Sequence, residues 1–134
     1  MAIQRIDPPG LLEAQGYTHV VTATGGRTIY VAGQGAYGAD GKLVGEGDHR
    51  AQTAKAISNL LVALEAAGAT PDDLVKLTIY VVGLDPKALG AYLLGVKDAT
   101  GDHPLPPAAS TLVGVERLAW DGMLIEIEAV AVTS

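Results

Sequence analysis

A chain of 134 residues carrying a net charge of −6 holds enough material for one ordinary domain. Apolar residues make up 49% and charged residues 18%, so a real core can be buried and intrinsic disorder is excluded. No cysteine is present, which removes disulfides, thiolate metal sites and a cysteine nucleophile. The three histidines, His19, His49 and His103, are scattered and form no spacing that a metal would use. Nine basic residues against fifteen acidic ones disfavour nucleic acid and anionic membranes as partners. The first residues lack the apolar run of a signal peptide, and no run approaches the roughly 18 residues of a spanning helix. A cytoplasmic single domain spanning 1–134 is the expectation.

Residues 1–14 read as an irregular lead-in broken by Pro8, Pro9 and Gly10, with at most a short strand at Ile3–Ile6. Thr18–Thr22 and Thr28–Ala32 are rich in β-formers, and Thr24-Gly25-Gly26-Arg27 between them suggests a hairpin turn. A second turn is marked by Ala39-Asp40-Gly41-Lys42. A helix is expected from Arg50 to Ala67, with Asp48 as its N-cap and Gly68 as its C-terminal glycine. Its apolar face is read as Ala54, Ile57, Leu61 and Leu64, widened by Leu60. Asp72–Val82 is a mostly buried strand, Pro86–Lys97 a second helix opened by proline, and Asp98–Pro107 a loop. Strands at Ser110–Leu118 and Met123–Val132 close the chain. The order is β-β-α-β-α-β-β, which is an α/β (α+β) domain with two helices on one side of a sheet.

In the last strand Ile125, Ile127, Ala129 and Ala131 alternate with Leu124, Glu126, Glu128, Val130 and Val132. The first set should face the helices. The second set is also mainly apolar and needs another cover, for which a second copy of the chain is the natural candidate.

Gly33-Gln34-Gly35-Ala36-Tyr37-Gly38 fits the spacing of a dinucleotide-binding loop, but no helix opens directly behind it to hold a pyrophosphate. It is a glycine-rich turn. No serine sits in a nucleophile elbow. Asp72-Asp73 reads as a cap before a strand, and His49 as a surface residue beside the Asp48 cap. Glu126 and Glu128 carry more information, because carboxylates on an apolar strand face must be solvated or partnered. They are either a wet strand end with an ion pair, or a site that activates water.

The segments Gln52–Leu60, Leu64–Ala69 and Asp73–Tyr80 resemble the middle of the Rid proteins, also called the YjgF/YER057c/UK114 or endoribonuclease L-PSP family. Gly16-Tyr17-Thr18-His19, Ala32-Gly33-Gln34 and Glu126–Ala131 agree with it in family order. The resemblance implies a chorismate-mutase-like fold, one mixed sheet backed by two helices. It implies a homotrimer with small-molecule pockets in inter-subunit clefts, and hydrolysis of enamines and imines to ammonia and a keto acid, with no metal and no cofactor. Carried over residue by residue, the catalytic glutamate is Glu126, and the substrate-binding positions are Tyr17, Gly33, Ser110, Thr111 and Leu112.

One family residue is missing. The arginine that clamps the substrate carboxylate falls on Ser110 when Val113-Gly114-Val115-Glu116-Arg117-Leu118 is aligned without gaps, or on Ala109 when Pro107-Ala108 is matched. His19 replaces the family glutamine and Ala32 its serine. Losing a bidentate charged contact costs about 2–5 kcal/mol in carboxylate binding. The expectation is therefore a diverged Rid-type enzyme, weak or inactive on 2-imino acids, with a pocket favouring neutral or cationic ligands unless Arg5, Arg27 or Arg50 reaches it from a neighbouring subunit. The alternative is a non-catalytic trimer that binds a metabolite or protein. A ribonuclease is disfavoured by acidic charge and sparse aromatics.

Overall fold

Strict alternation makes the C-terminal run the middle of the sheet: Ile125, Ile127 and Ala131 are fully buried and Ala129 nearly so, while Glu126 and Glu128 point the other way. The computed structural model describes residues 2–134, so Met1 of the expected lead-in lies outside them. Its elements are β1 (Ala2–Ile6), β2 (Val20–Thr24), β3 (Arg27–Gln34), α1 (His49–Ala66), β4 (Leu74–Val82), α2 (Pro86–Thr100), β5 (Ala109–Val115) and β6 (Ile125–Thr133). A four-stranded sheet has the order β3-β6-β4-β5, with β6 antiparallel to both neighbours and β4 parallel to β5. The parallel pair requires a crossover, and α2 supplies it. This is the mixed α+β architecture expected.

The expected hairpin between the second and third strands is absent. β2 pairs with β1 in a two-stranded sheet, Ala2 opposite Thr24 and Ile6 opposite Val20, whereas β3 pairs with β6. Neither Gly25 nor Gly26 takes a positive φ, so the glycine pair does not form the tight turn it suggests. The lead-in thus contributes a full strand, and the order becomes β-β-β-α-β-α-β-β. Arg5 ties β1 down, its Nε donating to the Pro107 carbonyl at 2.7 Å.

Asp48 caps α1 by accepting from the Ala51 amide at 3.0 Å, and Gly68 follows the helix at φ 78°, both as read from sequence. The buried face of α1 is Gln52, Thr53, Ala56, Ile57, Leu60 and Leu64, turned from the expected stripe because two polar residues belong to it. Thr53 satisfies its hydroxyl by donating to the His49 carbonyl at 2.7 Å. His49 is half-buried, with Nε2 2.7 Å from the Val82 carbonyl, so it ties the start of α1 to the end of β4. The Asp72-Asp73 pair lies in a 3₁₀ turn, Pro71–Asp73, and Asp73 accepts from the Thr70 amide at 2.9 Å.

α1 packs on β3 and β6, and α2 packs chiefly on α1. Gly95 sits at the helix crossing, where an added Cβ would lie 2.6 Å from both the Arg50 carbonyl oxygen and Thr53 Cβ. Gly95→Ala is expected to lower stability by about 1–3 kcal/mol, read as an earlier urea midpoint with an unchanged slope. Arg50 and Asp98 brace the same crossing with two bonds of 2.7 and 2.9 Å. No helix among the described residues is long and apolar enough to cross a membrane.

Candidate functional site

Register decides which side chains can meet. Tyr80 lies opposite Glu126, and Thr78 opposite both Glu128 and Thr111, so these side chains share the sheet face that carries no helix. Leu77 and Ile79 face the helices, and their partners on β5 are Ser110 and Leu112. The sheet therefore divides the expected site. Glu126, Gly33 and Thr111 belong to the open side, whereas Tyr17, Ser110 and Leu112 line a cavity on the helix side.

Gly33 and Glu126 are built for each other. Between Val31 and Gln34 the register against β6 slips by one residue, a bulge in β3 at the rim of the sheet. At the bulge the Glu126 side chain lies over the Gly33 backbone, where a Cβ would come within 2.7 Å of the carboxyl carbon. Gly33 needs no special φ; it is needed because any side chain would displace the carboxylate. Gly33→Ala is expected to move the Glu126 carboxyl and impair any chemistry that depends on it. The melting temperature should hardly change, since a flexible side-chain end is what gives way.

Beside Glu126, the Tyr80 hydroxyl donates to Glu128 Oε1 at 2.5 Å. That bond raises the Tyr80 pKa above its ordinary value; desolvation and the negative charges of Glu128 and Glu126 add to it. Glu128 is thus engaged, and Glu126 is the carboxylate of the pair with no hydrogen bond to a protein group among the described residues. Lys76 faces this side, opposite Val130 and Ala109, with Nζ 3.3 Å from Thr111 Oγ1. Alternation also separates the two candidate columns for the missing arginine: Ala109 lies opposite Lys76 on the open side, and Ser110 opposite Leu77 on the helix side. Arg5, Arg27 and Arg50 are each bonded within the chain, to Pro107, Ala67 and Asp98.

Sequence reading missed the residues that hold the site loop. Asn59 Nδ2 donates to the carbonyls of Gly35 and Tyr37, both at 2.9 Å, which pins the turn behind Gly33 to α1. An asparagine and a glutamine on the helix face that meets the sheet are the only available signal. Tyr17 and His19 stack edge-on with ring centroids 5.2 Å apart, and His19 Nε2 lies 2.6 Å from the Leu12 carbonyl. Burial pushes the Tyr92 phenol on the cavity wall up to about 12. The folded state therefore holds that proton more tightly than the unfolded chain, with a phenol near 10. Stability present below pH 10 should decline as pH rises toward 12, by on the order of 2–3 kcal/mol, in denaturation curves of wild type against Tyr92→Phe.

A mixed sheet backed by two helices is the fold of the Rid proteins. The endoribonuclease L-PSP family profile matches residues 10–133, and the chain belongs to that family. It is 36% identical to a RutC family protein of Pyrococcus abyssi over 106 residues, 79% of either chain. Among solved structures it resembles the Rid family protein YyfB of Yersinia pestis, a protein of unknown function, with 40% identity, TM-score 0.85 and coverage of 98% and 99%. Rv2704 of Mycobacterium tuberculosis, described as a YjgF/YER057c/UK114 family member, matches at 30% identity and TM-score 0.61, covering 98% and 99%.

Proposed function

We propose that the chain is a Rid-type hydrolase that adds water to a small imine or enamine at Glu126, without strong activity on 2-imino acids. The observation that supports it is the Glu126 carboxylate, free of protein hydrogen bonds and laid over Gly33 on an open sheet face. A carboxylate so placed accepts a proton from water while the oxygen adds to the C=N carbon. Glu126 returns that proton to the nitrogen to give the neutral carbinolamine, then takes the hydroxyl proton and passes it to the departing nitrogen as the C–N bond breaks, releasing ammonia and a carbonyl product. Tyr80, held by Glu128, walls the same side.

Tyr17, Ser110 and Leu112 do not join Glu126 within one chain, so a cleft containing all of them needs a second copy. A homotrimer of the family kind would bring two copies together over the open face of β6, where Val130 and Val132 follow Glu126 and Glu128. The substrate preference rests on charge: neither Ala109 nor Ser110 is basic, and the three arginines named above are already bonded. A non-catalytic binding trimer is the second reading, favoured by the same absence of a carboxylate clamp.

The test is ammonia release from imines formed in situ by an amino-acid oxidase, with wild type and Ala109→Arg. Weak activity in wild type that rises in Ala109→Arg supports the reading. Strong Glu126-dependent activity in wild type on 2-imino acids refutes the substrate preference, and silence of both proteins favours the binding trimer. Ser110→Arg is expected to gain nothing, because its side chain starts on the helix side.

A further inference from the structure

α1 holds two loops through side-chain amides: Asn59 donates to the Gly35 and Tyr37 carbonyls, and Gln52 to the Gly122 carbonyl, all at 2.9 Å. Between the loops lies a cavity of about 310 Å³ lined by Tyr37, Gly41 and Trp120, none of which belongs to the cleft assigned to the imine. The Tyr37 loop is braced internally as well. Tyr37 bridges Leu43, the Gly38 amide donates to the Lys42 carbonyl at 3.0 Å, and the Gly41 amide donates to the Gly38 carbonyl at 2.9 Å. On the other loop the Met123 amide donates to the Trp120 carbonyl at 3.3 Å, and Arg117 pairs with Asp121 at 3.1 Å.

Trp120 is the single tryptophan of the chain and is 69% exposed. Tryptophan is on average highly buried, so one held in water on a braced loop, across from a second aromatic, is surface kept for a partner. The lining offers two rings and the bare backbone of Gly41, with no charged side chain. Around it, loops 35–47 and 116–122 carry Asp40, Glu46, Glu116 and Asp121 against Lys42 and Arg117, in a chain of net charge −6. Ring faces in a negative surround attract a cation and turn an anion away.

We infer that the Tyr37–Trp120 cleft is a second binding site, one that takes a planar heteroaromatic cation of the N-alkylpyridinium kind. The flat ring of the ligand stacks on Tyr37 and Trp120, and its charge is held by their π faces rather than by an ion pair. The pinned loops keep the cleft formed before the ligand arrives, so little ordering is lost on binding.

Titration of the intact protein with nicotinamide, its N-methylpyridinium cation and nicotinate, followed by tryptophan fluorescence and by calorimetry, tests the inference. The three probes share a ring and differ in charge. The cation should bind saturably, nicotinamide about 5- to 30-fold more weakly, and nicotinate without measurable heat. Trp120→Leu and Tyr37→Leu, read by calorimetry, should each weaken the cation about 10-fold or more, whereas Tyr37→Phe keeps the ring and should bind like wild type. Trp120 is exposed, so its replacement leaves the fold intact, and thermal melts check the Tyr37 variants. Glu126→Gln should leave the affinity unchanged. Absence of saturation at millimolar cation, equal affinity for cation and nicotinamide, or indifference to Trp120→Leu each overturns the second site. Loss of binding in Glu126→Gln would instead place the ligand in the imine cleft. Ammonia release by wild type does not depend on any of these outcomes, so the two sites stand or fall separately.

Discussion

Glu126→Gln should abolish imine turnover, lowering ammonia release by about 10²- to 10⁴-fold, the range over which a positioned general base contributes. The amide keeps the size and most of the packing of the carboxylate but cannot take the proton of the attacking water. The melting temperature should stay within a degree or two, because Glu126 forms no hydrogen bond that the fold depends on. Glu128→Gln is the informative companion. It weakens the bond to the Tyr80 hydroxyl, so the Tyr80 pKa should fall back toward its ordinary value while most turnover survives. Equal loss in both variants would mean that the pair acts as one unit, and the assignment of the base to Glu126 would be wrong.

The largest expected effect on stability is at Gln52. Its side chain is fully buried and makes three hydrogen bonds: Nε2 donates to the Gly45 and Gly122 carbonyls, at 3.2 and 2.9 Å, and Oε1 accepts from the Leu124 amide at 2.8 Å. One amide therefore fastens the loop before α1 and the turn before β6 to the same helix. Gln52→Ala strands the Gly122 carbonyl and the Leu124 N–H, leaves the Gly45 carbonyl with the Asp48 amide alone, and opens a void, at roughly 1–3 kcal/mol for each stranded group less what water recovers. A net loss of about 3–5 kcal/mol is expected, a large part of the 5–15 kcal/mol that holds a typical domain together. Urea denaturation measures it, and a loss under 1 kcal/mol would show that the loops close without Gln52. Gln52→Glu should be nearly as harmful, since it removes the donor and brings a buried charge.

The fold was largely legible because its signals are local. Asp48 and Gly68 bracket α1, Pro86 opens α2, and the alternation of β6 separates Ile125 and Ile127 from Glu126 and Glu128. Pairing was not legible, since Gly25-Gly26 is a hairpin signal only if the two strands lack better partners. β1 and β6 are better partners, and both are remote in sequence. The α1 face was misjudged for a related reason. Gln52 and Asn59 fall outside the expected apolar stripe, because the carbonyls they serve, at Gly45, Gly122, Gly35 and Tyr37, are brought to them only by the fold. At the site, Glu126 and Gly33 could be named from the family resemblance. Which of Ala109 and Ser110 shares the open side of the sheet with Glu126 could not, because a one-residue shift in alignment reverses the side.

The position of β6 has a consequence for how the protein is made. It lies between β3 and β4, pairing Arg27 with Thr133 and Leu74 with Ala131, yet the ribosome delivers it after both neighbours. Until Ile125–Thr133 leaves the exit tunnel, β3 and β4 each hold an unpaired edge, and α1 has no central strand to cover. The nascent chain thus carries an incomplete sheet through most of its synthesis and closes it late, around contacts of high sequence separation. Stalling of translation before residue 125 would release a chain with its two stickiest edges exposed, one that should aggregate or recruit a chaperone rather than fold.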